Sequence, residues 1–182
     1  MSRIKTKFQE LKSKKEKALI AYLMMGFPNE KDSLAAVRGL IKGGADIIEL
    51  GFPFSDPIAD GPVIQNASTI SLNKGTKIEK FFQILKKIRK ETDIPLVLMT
   101  YTNILYRKGF DQFMKNAKKF GIDGLILPDM AIEESAAYLK ASRKNKLDTI
   151  FLISPNTSSD RIKKILKATT GFLYLVSMYG TT

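Results

Sequence analysis

The stretch Ala45–Asn66, ADIIELGFPFSDPIADGPVIQN, joins a short apolar run to a loop full of chain breakers. Ile47, Ile48 and Leu50 predict a buried strand in which Glu49 is the only ionisable residue. A carboxyl held among branched apolar side chains loses hydration in its charged form, so its proton is held more tightly than usual. Gly51, Pro53, Pro57, Gly61 and Pro62 then exclude helix and strand alike, and the loop between them carries Asp56 and Asp60. The predicted geometry is a carboxyl at the end of a strand, with a second one folded back towards the same bound molecule. A competing reading pairs Glu49 with a lysine and leaves Asp60 as a turn former, since ion-pair networks also perturb carboxyl groups.

Working outward, Leu19–Met24 predicts an apolar strand ended by Gly26 and Pro28, and Asn29-Glu30-Lys31-Asp32 has the character of a helix start. Leu34, Val37, Leu40 and Ile41 form one face of that helix, which Gly43 and Gly44 stop. At the amino end, Ile4, Phe8 and Leu11 recur at helical spacing in a basic segment, predicting an amphipathic helix that covers the bottom of the fold. Downstream of the loop, helices are predicted over Val63–Leu72 and Ile78–Lys90. Strands are predicted over Leu96–Met99, Gly124–Leu127, Thr149–Ile153 and Phe172–Val176. Further helices fall at Phe110–Ala117, Glu133–Arg143 and Ile162–Ala168, the last capped by Ser158, Ser159 or Asp160.

Alternating apolar strands and amphipathic helices imply a parallel sheet with helices outside, because parallel strands need crossover connections. An open sheet and a closed barrel share this pattern. Polar residues follow several strands: Glu49 and Asp60, Tyr101 and Asn103, Asp129, Ser154 and Asn156, then Ser177 and Thr182. Chemistry gathered at one end of many strands is a barrel property. No G-x-G-x-x-G follows the first strand, which argues against a dinucleotide fold. Residues 1–182 show no linker or shift in composition, so one domain is expected.

Composition removes several kinds of chemistry. The chain has no cysteine and no histidine, so disulfides and thiolate zinc sites are excluded, and proton transfer must use Asp, Glu, Lys or Tyr. The formal charge of +12 is spread over every helix among acidic residues, with no nucleic-acid-binding motif, and reads as solvated helix faces. The basic segment Arg3–Lys17 before apolar Ala18–Pro28 superficially matches a secretory signal. It has no small-x-small cleavage pattern and is too short to cross a bilayer, so a cytoplasmic protein with no membrane or nucleic-acid partner is expected.

Four segments together resemble the alpha subunit of tryptophan synthase: ELGFPFSDPIADGPVIQN (Glu49–Asn66), MTYTNILYRKG (Met99–Gly109), LPDMAIEESA (Leu127–Ala136) and ISPNTSSDRI (Ile153–Ile162). The resemblance implies a TIM (β/α)8 barrel with about six of its eight strand–helix units in this chain. It also implies retro-aldol cleavage of indole-3-glycerol phosphate to indole and glyceraldehyde 3-phosphate. It assigns Asp60 to the indole N–H and Glu49 to the proton shuttle at the ring carbon and glycerol hydroxyl; by its own place on the loop, Asp60 is expected to stay ionised. It places Tyr22, Leu98, Tyr101, Ile153 and Tyr174 around the indole, with Gly180 and Thr182 in the loop after strand six. Pro53, Asp56, Pro57 and Asn103 fall on the face that docks the beta subunit of an alpha2beta2 tetramer. No cofactor or metal is expected on this chain, the pyridoxal phosphate belonging to beta.

A closed barrel of this type typically needs about 250 residues and holds phosphate in the loops after strands seven and eight. Those units are not in the 182 residues given, and Met178 stands where the family commonly has arginine. Two expectations follow: a longer parent chain, or a true end at Thr182 that leaves strand six an apolar edge in a poorly soluble, inactive product. The alternative function is a non-catalytic subunit that binds and activates beta.

Overall fold

A computed structural model describes residues 1–177 of the chain. Six strands lie side by side in chain order: β1 (Ile20–Met24), β2 (Ile47–Gly51), β3 (Leu96–Met99), β4 (Gly124–Ile126), β5 (Asp148–Ile153) and β6 (Leu173–Leu175). Every pairing is parallel, with Tyr22 opposite Glu49, Glu49 opposite Val97, and Leu152 opposite Tyr174. Helices α1 (Arg3–Lys14), α2 (Glu30–Lys42), α3 (Pro62–Asn73), α4 (Ile78–Glu91), α5 (Thr102–Lys108), α6 (Phe110–Lys119), α7 (Ala136–Asn145) and α8 (Ser159–Ala168) connect them.

Side chains alternate between the two faces of a strand, and here the two sets enter different cores. Ile48, Leu50, Leu96, Leu98, Leu125 and Phe151 join the larger core, which also takes Val37, Phe81, Phe82, Leu85 and Phe113 from the helices. Ile47, Val97, Ile126 and Ile150 form the inner core with Ile4 of α1, and Ile20, Leu152, Phe172 and Tyr174 pack against it. α1 covers the bottom as its spacing predicts: Ile4 is fully buried and Phe8 meets Phe172 with ring centroids 5.8 Å apart. This is half of a barrel wall, helices outside and a separate apolar interior.

At the same end, Asp123 is buried and accepts from Arg3 Nη1 (3.1 Å), Arg89 Nη2 (2.9 Å) and the Leu96 backbone N–H (3.0 Å). Arg89 also donates to the carbonyls of Gly121, Thr92 and Ile94. One arginine thus satisfies backbone groups of two loops that neither sheet nor helix could pair.

Asn29 caps α2 by accepting from the Asp32 N–H, and of the three candidates for α8 the cap is Ser158. Two local expectations are revised. A helix, α5, occupies Thr102–Lys108, a stretch with no helical apolar pattern of its own, because Asp129 from a distant loop accepts from the Thr102 N–H and hydroxyl. The helix expected from Glu133 instead begins with a 3₁₀ turn, Ile132–Glu134, and α7 starts at Ala136.

Candidate active site

The alternation that buries Ile47 in the inner core turns Glu49 inward near the carboxyl end of β2. Glu49 is 4% exposed and, among the described residues, has neither an ion-pair nor a hydrogen-bond partner. Burial alone raises its pKa to about 7. The lysine pairing that would make it a structural residue is not present among these residues.

The loop after β2 is pinned at three points. Ser68 Oγ of α3 accepts from the Phe54 N–H (2.9 Å) and donates to the Phe54 carbonyl (2.8 Å). The Tyr101 hydroxyl oxygen accepts the Ala59 N–H (3.0 Å), while its ring stacks on Phe54 at 5.1 Å. Gln65 Nε2 donates to the Asp60 carbonyl (2.8 Å). Held in this way, Asp60 is 8% exposed, so it is not the freely solvated loop carboxylate that the sequence suggests. Burial pushes its pKa up, and the nearby Tyr101 hydroxyl works in the opposite direction. Tyr22 lies within electrostatic reach of Asp60, Tyr101, Glu49 and Tyr174; burial, then these groups, raise its phenol pKa. Burial and the Glu49 charge do the same to Tyr174.

A cavity of about 170 Å³ opens beside this group, lined by Asp60, Met99, Ile126, Leu152, Tyr174 and Ser177 among others. Leu98 and Ile153, expected there, are corrected. Leu98 is fully buried in the core beneath the helices. Ile153 packs on the same side and borders an adjoining space of about 350 Å³ between the loops of β4 and β5, and is not among the residues of the first cavity. Each expectation was one residue out of phase, which in a strand moves a side chain to the opposite face. The cavity residues are their neighbours Met99 and Leu152; counting by twos from Val97 and Ile150 would have found them. Tyr101 holds the loop and is not among the cavity residues. Gly180 and Thr182 lie outside the described residues.

Of the four residues expected at a partner face, Asp56 and Asn103 are exposed, Pro57 is half-buried and Pro53 is buried. Ile58, on the same loop, is 74% exposed. Among the described residues no cluster of acidic side chains could hold a metal ion, and no helix is long and apolar enough to cross a membrane.

Gly51 shows how tightly the site is built. A Cβ there would lie 2.3 Å from the Tyr22 hydroxyl oxygen and 2.8 Å from its Cζ. Gly51→Ala is expected to displace the ring and cost about 1–3 kcal/mol in urea unfolding. Adding Tyr22→Phe should recover part of that loss; no recovery would mean that the alanine acts through something other than this contact.

The family model described as tryptophan synthase alpha chain matches residues 8–182. The tryptophan synthase alpha chain of Methanosarcina mazei is 50% identical over 180 residues, covering 99% of this chain and 66% of that one. A solved structure from Aquifex aeolicus superposes with a TM-score of 0.96 at 44% identity, over 99% of this chain and 72% of that one. Mycobacterium tuberculosis tryptophan synthase gives 0.94 at 36% identity, over 100% of this chain and 70% of that one. The chain spans about two thirds of the length of the curated relatives it matches. An inward Glu49 with no ion-pair partner among the described residues, a pinned Asp60 and a family match over nearly the whole sequence therefore agree: the chain belongs to the tryptophan synthase alpha chain family, and its six strands are part of a TIM barrel.

Proposed function

We propose that this chain is, or is part of, a lyase that splits indole-3-glycerol phosphate into indole and glyceraldehyde 3-phosphate in tryptophan biosynthesis. The observation that carries the reading is Glu49, buried without a cationic partner among the described residues and titrating at about 7 beside a cavity that Asp60 lines. Breaking the bond between the ring carbon and the glycerol side chain requires one proton to reach that carbon and another to leave the glycerol hydroxyl. A carboxyl that is half protonated near neutrality can give the first and take the second, and it ends the cycle as it began. Asp60 accepts the ring N–H while the ring passes through its indolenine form. The cavity of about 170 Å³ supports an aromatic guest, since apolar cavities of roughly 150 Å³ already admit benzene. Tyr174 walls it with Met99 and Leu152, Tyr22 is assigned to the substrate side from within electrostatic reach of both acids, and Gly180 and Thr182 are assigned to the phosphate side.

We further propose a single domain over residues 1–182, a cytoplasmic location, and a face for the tryptophan synthase beta subunit. Asp56 and Asn103 are its exposed polar members and Ile58 an exposed apolar one, with Pro57 beside them and Pro53 bracing the loop from within. The assembly would be an alpha2beta2 tetramer, with pyridoxal phosphate on beta and no cofactor on this chain.

The test is indole release from indole-3-glycerol phosphate, by the chain alone and with beta added. Asp60→Asn should lower turnover about a hundredfold, because an amide oxygen still accepts the N–H but carries no charge to stabilise it. Full turnover in Asp60→Asn would remove that residue from the reaction. Activation of beta by a chain that never releases indole would favour the non-catalytic alternative.

A further inference from the structure

Asp129 stands outside the acid pair, yet its bonds lead to it. Its carboxylate accepts from the Thr102 N–H at both oxygens (3.0 and 3.1 Å) and from the Thr102 hydroxyl at Oδ1 (2.8 Å). Thr102 is buried and opens α5, while Asp129 is open to solvent on its other side. The residue before Thr102 is Tyr101, whose hydroxyl oxygen accepts the Ala59 N–H and whose ring stacks on Phe54. The β4 loop therefore holds the first residue of α5, that residue fixes where the Tyr101 backbone leaves β3, and Tyr101 holds the β2 loop on both sides of Asp56.

From this chain of contacts we infer that Asp129 is a positioning residue: by anchoring Thr102, it holds Tyr101 against the loop that presents Asp60. The inference rests on the proposed lyase reading for its catalytic consequence, but the coupling of the three loops is independent of it. A carboxylate suits the task because two donors on one residue converge on it, whereas one hydroxyl oxygen would serve them less well. Thr102 and Asp129 lie 27 positions apart, so the bond ties adjacent strand ends together and is more than a local turn.

Amide hydrogen exchange followed by NMR tests the coupling, with turnover as a second readout. In Asp129→Ala the Ala59 amide should exchange about tenfold faster, as expected when one hydrogen bond is lost. Tyr101→Phe should do the same, and the double variant should be no faster than Tyr101→Phe alone. Asp129→Asn keeps an acceptor for Thr102 and should restore both Ala59 protection and kcat, with KM little changed throughout. If Asp129→Ala speeds exchange only in α5 and leaves Ala59 protected, the residue is a helix cap alone and the inference fails. It also fails if Ala59 is loosened while turnover that depends on Asp60 stays intact. If neither Asp129→Ala nor Asp60→Asn changes turnover but Ala59 is loosened, the mechanical coupling stands and the lyase assignment of Asp60 is what falls.

Discussion

Glu49→Gln should abolish cleavage and, at pH 8, make the protein more stable. The two effects share one cause. The Glu49 carboxyl is 4% exposed, and burial moves its pKa from the ordinary 4.5 to about 7. The folded chain thus binds this proton more tightly than the unfolded chain does. Its stabilising effect is complete below about pH 4.5 and is lost as pH rises through 7, leaving a buried carboxylate with no cation beside it among the described residues. The cost at pH 8 is about 3 kcal/mol, and a neutral glutamine escapes it. The variant should therefore melt about 6–12 °C higher at pH 8 and at nearly the wild-type temperature at pH 4.5. Turnover should fall about ten-thousandfold, since an amide neither gives nor takes the proton. A variant that loses activity and also melts lower at pH 8 would show Glu49 to be paired in solution.

The second large effect is structural. Asp123→Ala should cost about 3–5 kcal/mol, the usual result when one member of a buried ion pair is removed. The side chain of Asp123 is 3% exposed and that of Arg89 is 15% exposed, so the loss leaves a guanidinium that cannot turn fully to water. Arg89 also bridges the carbonyls of Gly121, Thr92 and Ile94, and Leu96 would lose the acceptor of its N–H at the start of β3. The outer bond from Arg3 contributes less, because that side chain is 43% exposed. Denaturant unfolding of Asp123→Ala, Arg89→Ala and the double variant separates these contributions. A double variant as unstable as the sum of the two singles would mean that the pair does not act as a unit.

Much of this was legible in the residues. A lone acid in the run IIEL and the breakers after it single out both carboxyls of the candidate site, and the alternation of strand and helix patterns leads to the six parallel strands. What the sequence concealed is non-local. α5 depends on Asp129, 27 residues away, and the start of β3 depends on Asp123, also 27 away. No window of local periodicity contains either bond. The burial of Asp60 is hidden for the same reason, because the loop around it is closed by Tyr101, just beyond the next strand, and by Ser68 and Gln65 from the next helix. Leu98 and Ile153 were a different kind of miss. Their strands lie where the apolar runs place them, but both residues have the wrong parity for the cavity, and the inward Glu49 with its register to Val97 points to Met99.

The proposed proton shuttle depends on a carboxyl that keeps its proton to neutral pH at the mouth of the half-barrel. Carbon-13 NMR titration of the glutamate side-chain carboxyls, with Glu49→Gln to assign the signal, measures that directly. One resonance should titrate with a midpoint near 7 and vanish in the variant. If the resonance that the variant removes titrates at or below the ordinary glutamate value of about 4.5, the isolated acid and the proton shuttle built on it are both wrong.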